Sequence, residues 1–392
     1  MSTASPLLRA LADVYRQPGD YSTVYFDLSL DTGDPPQAAE ERRRSIADML
    51  GRAGAPQEDV DAVIDVLAGA EGMPSPVTAF ALVRDGEVVV EDLITATPLD
   101  QESVTYGPLP DLVPLLKHAA DSFHYLVVET ARDGATITLR RVGRAEPDQK
   151  TRQQGRTDTL HASKSGGGWR QDYFQRHAEE IWRRTQSEVA TTIDSLVQRY
   201  RPRLIVVTGD IRARQLLIDE LSTEAQGVVR VQASDQEAEG ADRSRLEAFI
   251  DEEIGAIIRA DEEAVAELVR EHEGRGDNRA ELTVGGVVHA LASAQVETLL
   301  IDESRLGDRE VLALDGPPWV ATAPEEALTA GILGSVPARL GLVRAALVTD
   351  ARVFFARERG SDDEPVALPE GAAVAALLRW TTGPAVPGVD DL

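Results

Sequence analysis

Three α/β domains in succession, each a mixed sheet with helices, are the fold class this sequence predicts. Three observations carry that expectation. The chain has 392 residues, more than one hydrophobic core organises, so two or three domains are expected. Two stretches of strand-like residues, 78–94 and 123–142, are each broken by an Asp-Gly pair, the sign of a β-hairpin. Beyond residue 200, strand-like and helix-like segments alternate, which favours a parallel or mixed sheet with helices packed on it. The expected boundaries are 1–120 for an N-terminal α/β domain and 121–280 for a middle domain with a long basic loop and an acidic linker helix. Residues 281–380 are expected to form a C-terminal α/β sandwich, and 381–392 a frayed tail.

Each element follows from its own residues. PLLRALADVYR (6–16) predicts a short helix with Pro in its first turn. Residues 21–30 predict a strand with Val24, Phe26 and Leu28 on one face. Pro35-Pro36 opens a helix through Ile46, Met49 and Leu50, and a second helix follows Pro56 with Val60, Val63, Ile64 and Leu67 at helical spacing. The hairpin 78–94 turns at Asp85-Gly86, and residues 105–122 close the domain. The middle domain opens with the second hairpin, its turn placed at Asp133-Gly134. A long helix from about 170 to 200 carries the stripe Phe174, Ala178, Ile181, Trp182, Val189, Ile193 and Leu196, whose aromatic members read as core. RPRLIVVTGD then predicts a buried strand, IRARQLLIDEL a helix, and VVRVQA a further strand. Residues 241–273 predict a long acidic helix whose carboxylates are dispersed around it, as on a solvated surface. In the third domain, 283–301 predicts helix then strand with Gln295 at the junction. Residues 327–356 predict another helix and then a hairpin, and 372–380 end the fold.

The bulk numbers exclude several classes. There is no cysteine, hence no disulfide or thiolate metal site, which fits a reducing, cytoplasmic compartment. No run approaches 18 apolar residues, and the first twenty residues lack a basic start before an apolar run. Neither a membrane span nor a signal peptide is therefore expected. The net charge is −27, which argues against general coating of nucleic acid. One stretch runs against that charge. From 140 to 184 there are 11 Lys and Arg against 6 Asp and Glu, within a polar segment that ends in Gly166, Gly167, Gly168 and Trp169. A basic segment on an acidic chain points to a polyanion met at one place.

The residues offer no persuasive enzyme site. The run SGGGWR lacks the Gly-Lys-Ser/Thr of a phosphate loop, and no GxSxG is present. The six histidines, at 118, 124, 161, 177, 272 and 289, show no metal-ligand spacing, so neither a metal nor another cofactor is expected. The Val206–Asp210 turn lies between a strand and a helix, where nucleotides bind in other folds, but it holds a single glycine. The candidate contact residues are Arg152, Arg156, His161, Lys164, Gly166, Gly167, Gly168, Trp169 and Arg170. Arginine and lysine bind phosphates, glycine lets backbone approach closely, and Trp169 can stack on a base or pack the root of the loop. On the residues alone, nucleic-acid contact and a plain surface loop both stay open.

The order of parts resembles the archaeo-eukaryotic class-one release factor superfamily, which includes Pelota, and among its bacterial members the actinobacterial Balon-like ribosome hibernation factors. In release factors a hairpin leads to a long basic loop tipped by Gly-Gly-Gln, followed by a long helix with Phe and Arg early in it. Here Gly167-Gly168-Trp169 takes that place, with Phe174 and Arg176 in the matching helix. LIVVTGD, IRARQLLIDEL and VVHALASAQVETLLI also look like segments of the superfamily, so that the likeness covers roughly residues 120–380. The resemblance implies a release-factor-like order of domains and a monomeric translation factor that enters the ribosomal A site. Its partners would be rRNA, ribosomal proteins and an elongation factor. The departures are specific. Trp169 stands where the catalytic glutamine stands in release factors, and the stop-codon-reading Asn-Ile-Lys-Ser motif is absent from the first domain. The resemblance thus implies a non-catalytic A-site occupant in hibernation or stress, with no catalytic residue. The alternative is a rescue enzyme that hydrolyses or cleaves peptidyl-tRNA.

Overall fold

The structure is a computed structural model that describes residues 6–28, 35–69, 77–95, 102–120, 122–144, 146–155, 168–232, 239–356 and 368–381. The chain divides into two compact units, Met1–Ala120 with Arg259–Leu392, and Asp121–Ile258.

The first segment contains α1 (Pro6–Tyr15), β1 (Tyr21–Asp27), α2 (Pro35–Ala53), α3 (Gln57–Gly69), β2 (Val77–Arg84), β3 (Glu87–Thr95), β4 (Ser103–Gly107) and α4 (Val113–Ala120). Its sheet has the order β3-β2-β1-β4 and is antiparallel at every pairing. Alternation along the strands sorts the side chains to two buried faces. Val24, Phe26, Ala79, Ala81 and Val83 meet Ile46, Leu50, Val60, Val63 and Leu67 of α2 and α3. On the other face Tyr25, Phe80 and Leu82 join α1, α4 and the third segment in the largest core cluster. The β2–β3 turn sits at Asp85-Gly86, both with positive φ, as a two-residue hairpin requires. Buried Asp59 of α3 anchors it, accepting from the Gly86 N–H and the Ser22 hydroxyl, each at 2.7 Å.

The middle segment contains β5 (His124–Ala131), β6 (Gly134–Arg141), β7 (Gln149–Gln154), α5 (Gly168–Tyr200), β8 (Leu204–Gly209), α6 (Ile211–Glu220), α7 (Thr223–Gly227), β9 (Val229–Val231) and α8 (Glu239–Arg275). Its mixed sheet has the order β7-β6-β5-β8-β9, with β5, β8 and β9 parallel. One face packs on α5, α6 and α7 through Leu126, Val128, Ile137, Leu139, Ile205 and Val207. Tyr125, Val127, Leu204 and Val206 on the other face pack against Leu246, Phe249 and Ile250 of α8.

Two expectations are corrected here. The hairpin turn is Arg132-Asp133, because Ala131 pairs with Gly134. Gly134 is already in the strand, where a Cβ would overlap the Gln153 carbonyl of β7. The segment before the glycines is also not wholly irregular, since residues 149–154 form β7 along β6. QKTRQQ has no apolar alternation to signal a strand, because it is an edge strand whose residues are at most half-buried.

The third segment contains β10 (Ala280–Glu281), α9 (Val284–Ala292), β11 (Val296–Ile301), α10 (Glu303–Leu306), β12 (Glu310–Leu314), β13 (Val320–Ala321), β14 (Ile332–Pro337), α11 (Ala338–Val348), β15 (Arg352–Phe355) and β16 (Val374–Leu378). One sheet has the order β10-β16-β11-β15 and the other β13-β12-β14. The expected hairpin after the helix is instead the single strand β15, which pairs in parallel with β11. The three-stranded sheet between residues 310 and 337 was not anticipated, because its strands are short, β13 having only two residues.

Polar contacts bind the first and third segments into one unit. Arg344 of α11 is fully buried. Its Nε donates to the Tyr15 carbonyl at the end of α1 (3.0 Å), and its Nη1 donates to the Leu314 carbonyl (2.5 Å). The Trp319 ring lies 5.2 Å from the guanidinium carbon. A cation suits the negative end of a helix, which offsets part of the desolvation cost. Nearby, buried Asp111 caps the Val113 N–H and accepts from Arg339 at 2.7 Å. Among the described residues no helix is long and apolar enough to cross a membrane.

Arg344→Ala should leave two buried carbonyls without donors, at about 1–3 kcal/mol each, and a cavity besides. We expect a loss of about 3 kcal/mol or more, read as a lower urea midpoint in chemical denaturation. An unchanged midpoint would show that the guanidinium contributes nothing net.

Candidate functional site

The site is built on α5, and the second half of that helix determines where its first half goes. Val189, Ala190, Ile193, Leu196 and Val197 are buried on the sheet. At the end of β5 the buried Gln186 amide makes two bonds. Its Oε1 accepts from the Thr130 hydroxyl (2.9 Å), and its Nε2 donates to the Ala131 carbonyl (2.8 Å). The helix is therefore fixed against sliding or turning on the sheet. One residue earlier, Thr185 meets the end of β7, where a Cβ on Gly155 would overlap the Thr185 side chain. Only glycine lets strand and helix come so close. From Thr185 back to Gly168 the helix rises about 25 Å, and on that stretch Ile181 and Trp182 are only partly buried.

Side chains brace α5 where it leaves the sheet. Arg132, in the hairpin turn, lies over the Trp182 ring at 4.9 Å and pairs with Asp210 at 3.1 Å. Arg212 pairs with Glu179, and Arg183 with Glu220 at 3.8 Å. Asp210 is the N-cap of α6, accepting from the Arg212 and Ala213 N–H groups at 3.0 Å. Burial pushes its carboxyl up, but the Ala213 N–H, the Arg132 guanidinium and the Arg212 N–H outweigh that and hold it below the usual carboxylate range. The Val206–Asp210 turn is thereby occupied by its own anion. A phosphate placed there would meet a carboxylate rather than free amides.

At the opposite end of the hairpin, His124 sits between Arg141 and Asp148. Its Nε2 lies 3.0 Å from an Arg141 guanidinium nitrogen and 3.1 Å from an Asp148 carboxylate oxygen. Burial and the Arg141 charge lower the imidazole's pKa, against the opposite pull of Asp148. Its Nε2 thus lies between the Arg141 guanidinium and the Asp148 carboxylate. Asp148 leads into β7, so this cluster fixes the start of the strand that runs to the loop.

The expected contact residues fall as follows. Arg152 lies exposed on β7. Gly168, Trp169 and Arg170 form the first turn of α5, and their side chains lie outside the description. Arg156, His161, Lys164, Gly166 and Gly167 lie outside the described residues. Sequence reasoning missed Lys150, which shares a strand face with Arg152. The spacing of two between these cations in QKTRQQ was the available signal. It also missed the bracing set of Arg132, Glu179 and Asp210. Among the described residues no group of three or more His, Asp or Glu is placed to hold a metal ion.

Comparison with known proteins places the middle segment. Residues 124–275 match the model of bacterial archaeo-eukaryotic release factor family 2. Uncharacterized proteins of Mycobacterium tuberculosis strains H37Rv and CDC 1551 are each 27% identical over 374 residues, covering 92% of this chain and 94% of theirs. Among solved structures, Saccharomyces cerevisiae Dom34 is similar at 11% identity and a TM-score of 0.41, over 81% of this chain and 82% of that one. A ribosome-bound archaeal Pelota is similar at 13% identity and a TM-score of 0.40, over 96% and 95%. Scores of that size leave the assignment to the sequence match.

Folding lowers the His124 pKa, so the unfolded chain takes up the proton first as pH falls. Stability from this group is complete above the unfolded value of about 6.5 and is lost as pH drops through it. His124→Gln should flatten the fall in urea midpoint between pH 7.5 and 5.5; equal slopes in both proteins would refute the assignment. Asp210→Ala should cost about 1 kcal/mol through the lost cap, seen in the same denaturation measurement.

Proposed function

Residues 124–275 make the chain a bacterial member of the archaeo-eukaryotic release factor superfamily, and from that premise we propose that it is a ribosome-associated translation factor. The observation that carries this reading is the placement of Gly168. The helix of a release-factor domain holds it about 25 Å from the level of Thr185, with the second half of the helix locked to the sheet. A tip carried that far on a braced rod suits entry into a narrow site. The positive end of the helix and Arg170 suit a polyanionic surrounding.

Within that reading the protein is a non-catalytic A-site occupant in hibernation or stress, like the Balon-like factors. Trp169 opens the helix where a release factor carries glutamine, and an indole ring, with one donor and no acceptor, cannot orient a hydrolytic water. Its partners are rRNA and ribosomal proteins, with an elongation factor as the delivery partner. Its compartment is the cytoplasm.

Co-sedimentation with ribosomes at low salt, including ribosomes from starved cells, tests the association. Failure to pellet in every case refutes it. Incubation with stalled ribosome–nascent-chain complexes tests the absence of chemistry: we expect the peptidyl-tRNA to remain intact. Release or tRNA cleavage that the loop variants abolish would establish the rescue enzyme instead. Replacing Gly167 and Gly168 by leucine should weaken ribosome association several-fold with an unchanged unfolding midpoint. A large fall in the midpoint would make the glycines structural.

A further inference from the structure

The middle sheet ends in a strand that is polar on both faces and basic on one. Lys150 and Arg152 are exposed on β7, two residues apart and hence on the same face, about 6.6 Å from one another along the strand. In register they lie beside Thr138 and Thr136 of β6. Helix α8 covers this face of the sheet at Tyr125, Val127, Leu204 and Val206, on β5 and β8. No residue of β7 or β6 other than Val142, just past the end of β6, joins that apolar contact. Nearby cations are taken: Arg141 by His124 and Asp148, Arg132 by Asp210, Arg212 by Glu179. Lys150 and Arg152 meet no carboxylate among the described residues. Asp148, the acidic residue nearest in sequence, is engaged with His124. On a chain of net charge −27, two adjacent exposed cations that meet no carboxylate among the described residues are complementary to a polyanion. Thr136, partly exposed beside Arg152, adds a hydroxyl of the kind that contacts phosphate and sugar, whereas Thr138 beside Lys150 is buried.

We infer that this face of β7 binds the phosphate backbone of RNA without regard to base sequence, as a contact separate from the tip at Gly168. The inference deepens the ribosome-association reading and rests on it for the source of the RNA. Phosphate contacts position a protein on nucleic acid while carrying no sequence information. A second contact at the strand would hold the domain from the side while the helix end reaches forward.

The test uses the full chain and the double variant K150Q/R152Q, with two ligands: ribosomes, and a fluorescein-labelled 20-base-pair RNA duplex. Affinity is read against salt from 50 to 400 mM. Removing two phosphate contacts should lower the slope of log K against log salt by about 1.4–1.8 and weaken binding roughly 40-fold at 0.1 M salt. The unfolding midpoint should stay unchanged, because both side chains are exposed. Ribosome binding by the wild type with the same affinity and slope in the variant overturns the inference and leaves the ribosome reading standing. Binding of the duplex with the expected slope change, without ribosome binding, supports the inference and refutes that reading. Binding of neither ligand refutes both. If the charges only guard the sheet edge against pairing with other chains, the variant will aggregate with its RNA affinity intact, which also overturns the inference.

Discussion

Much in the middle unit depends on one buried amide. Gln186 bonds to the side chain of Thr130 and the backbone of Ala131 where β5 ends. The bond to Thr130 is buried and the one to Ala131 partly so, so losing the first strands a polar group at a cost of about 1–3 kcal/mol. Apolar packing by Val189, Ile193 and Leu196 would tolerate small shifts of the helix along the sheet, since it is non-directional. The amide does not. It determines the register of α5, and the register determines how much helix projects. Thr185 against Gly155, and Arg132 between Trp182 and Asp210, repeat the constraint on two sides.

This division of labour separates stability from contact along a single helix. Residues 186–200 meet the core. Where the helix leaves the sheet, Glu179 pairs with Arg212 and Arg183 with Glu220 rather than with a ligand. The acidic excess is compatible with an RNA partner under such an arrangement. Repulsion acts over about 8 Å at physiological ionic strength, so acidic surface held farther off than that costs little.

Much of this was legible in the sequence, and the failures have physical reasons. The two hairpins, the long helix, the strand at 204–209 and the helix–strand pair around Gln295 were read from apolar spacing, because those elements bury one face. β7 was invisible because an edge strand with half-buried Thr151 and Gln153 has no apolar face to reveal its period. The turn at Arg132-Asp133 was placed one residue late because Gly134 looked like a turn glycine. It is a glycine of close approach, required by a carbonyl from a strand that the same reading had missed. The sheet at 310–337 failed for another reason: β13 is only two residues long, too short for any periodicity. At the site, the glycines and Trp169 were conspicuous by composition, whereas Lys150 and the bracing residues acquire meaning only from register and from contacts far apart in the chain.

The contact of Arg344 with Tyr15 joins residues 329 positions apart, and it bears on how the molecule is made. The apolar face that Leu11, Leu112 and Leu115 present to α11 is synthesised long before its partner. At roughly 5–20 residues per second, α11 leaves the ribosome tens of seconds after α4. The middle unit, contiguous in sequence, can close in that interval. The outer unit cannot, and its half-built face remains open to other chains. Such a protein should place an early demand on the chaperones that meet nascent chains, and its production should fail first where synthesis stalls between the two halves.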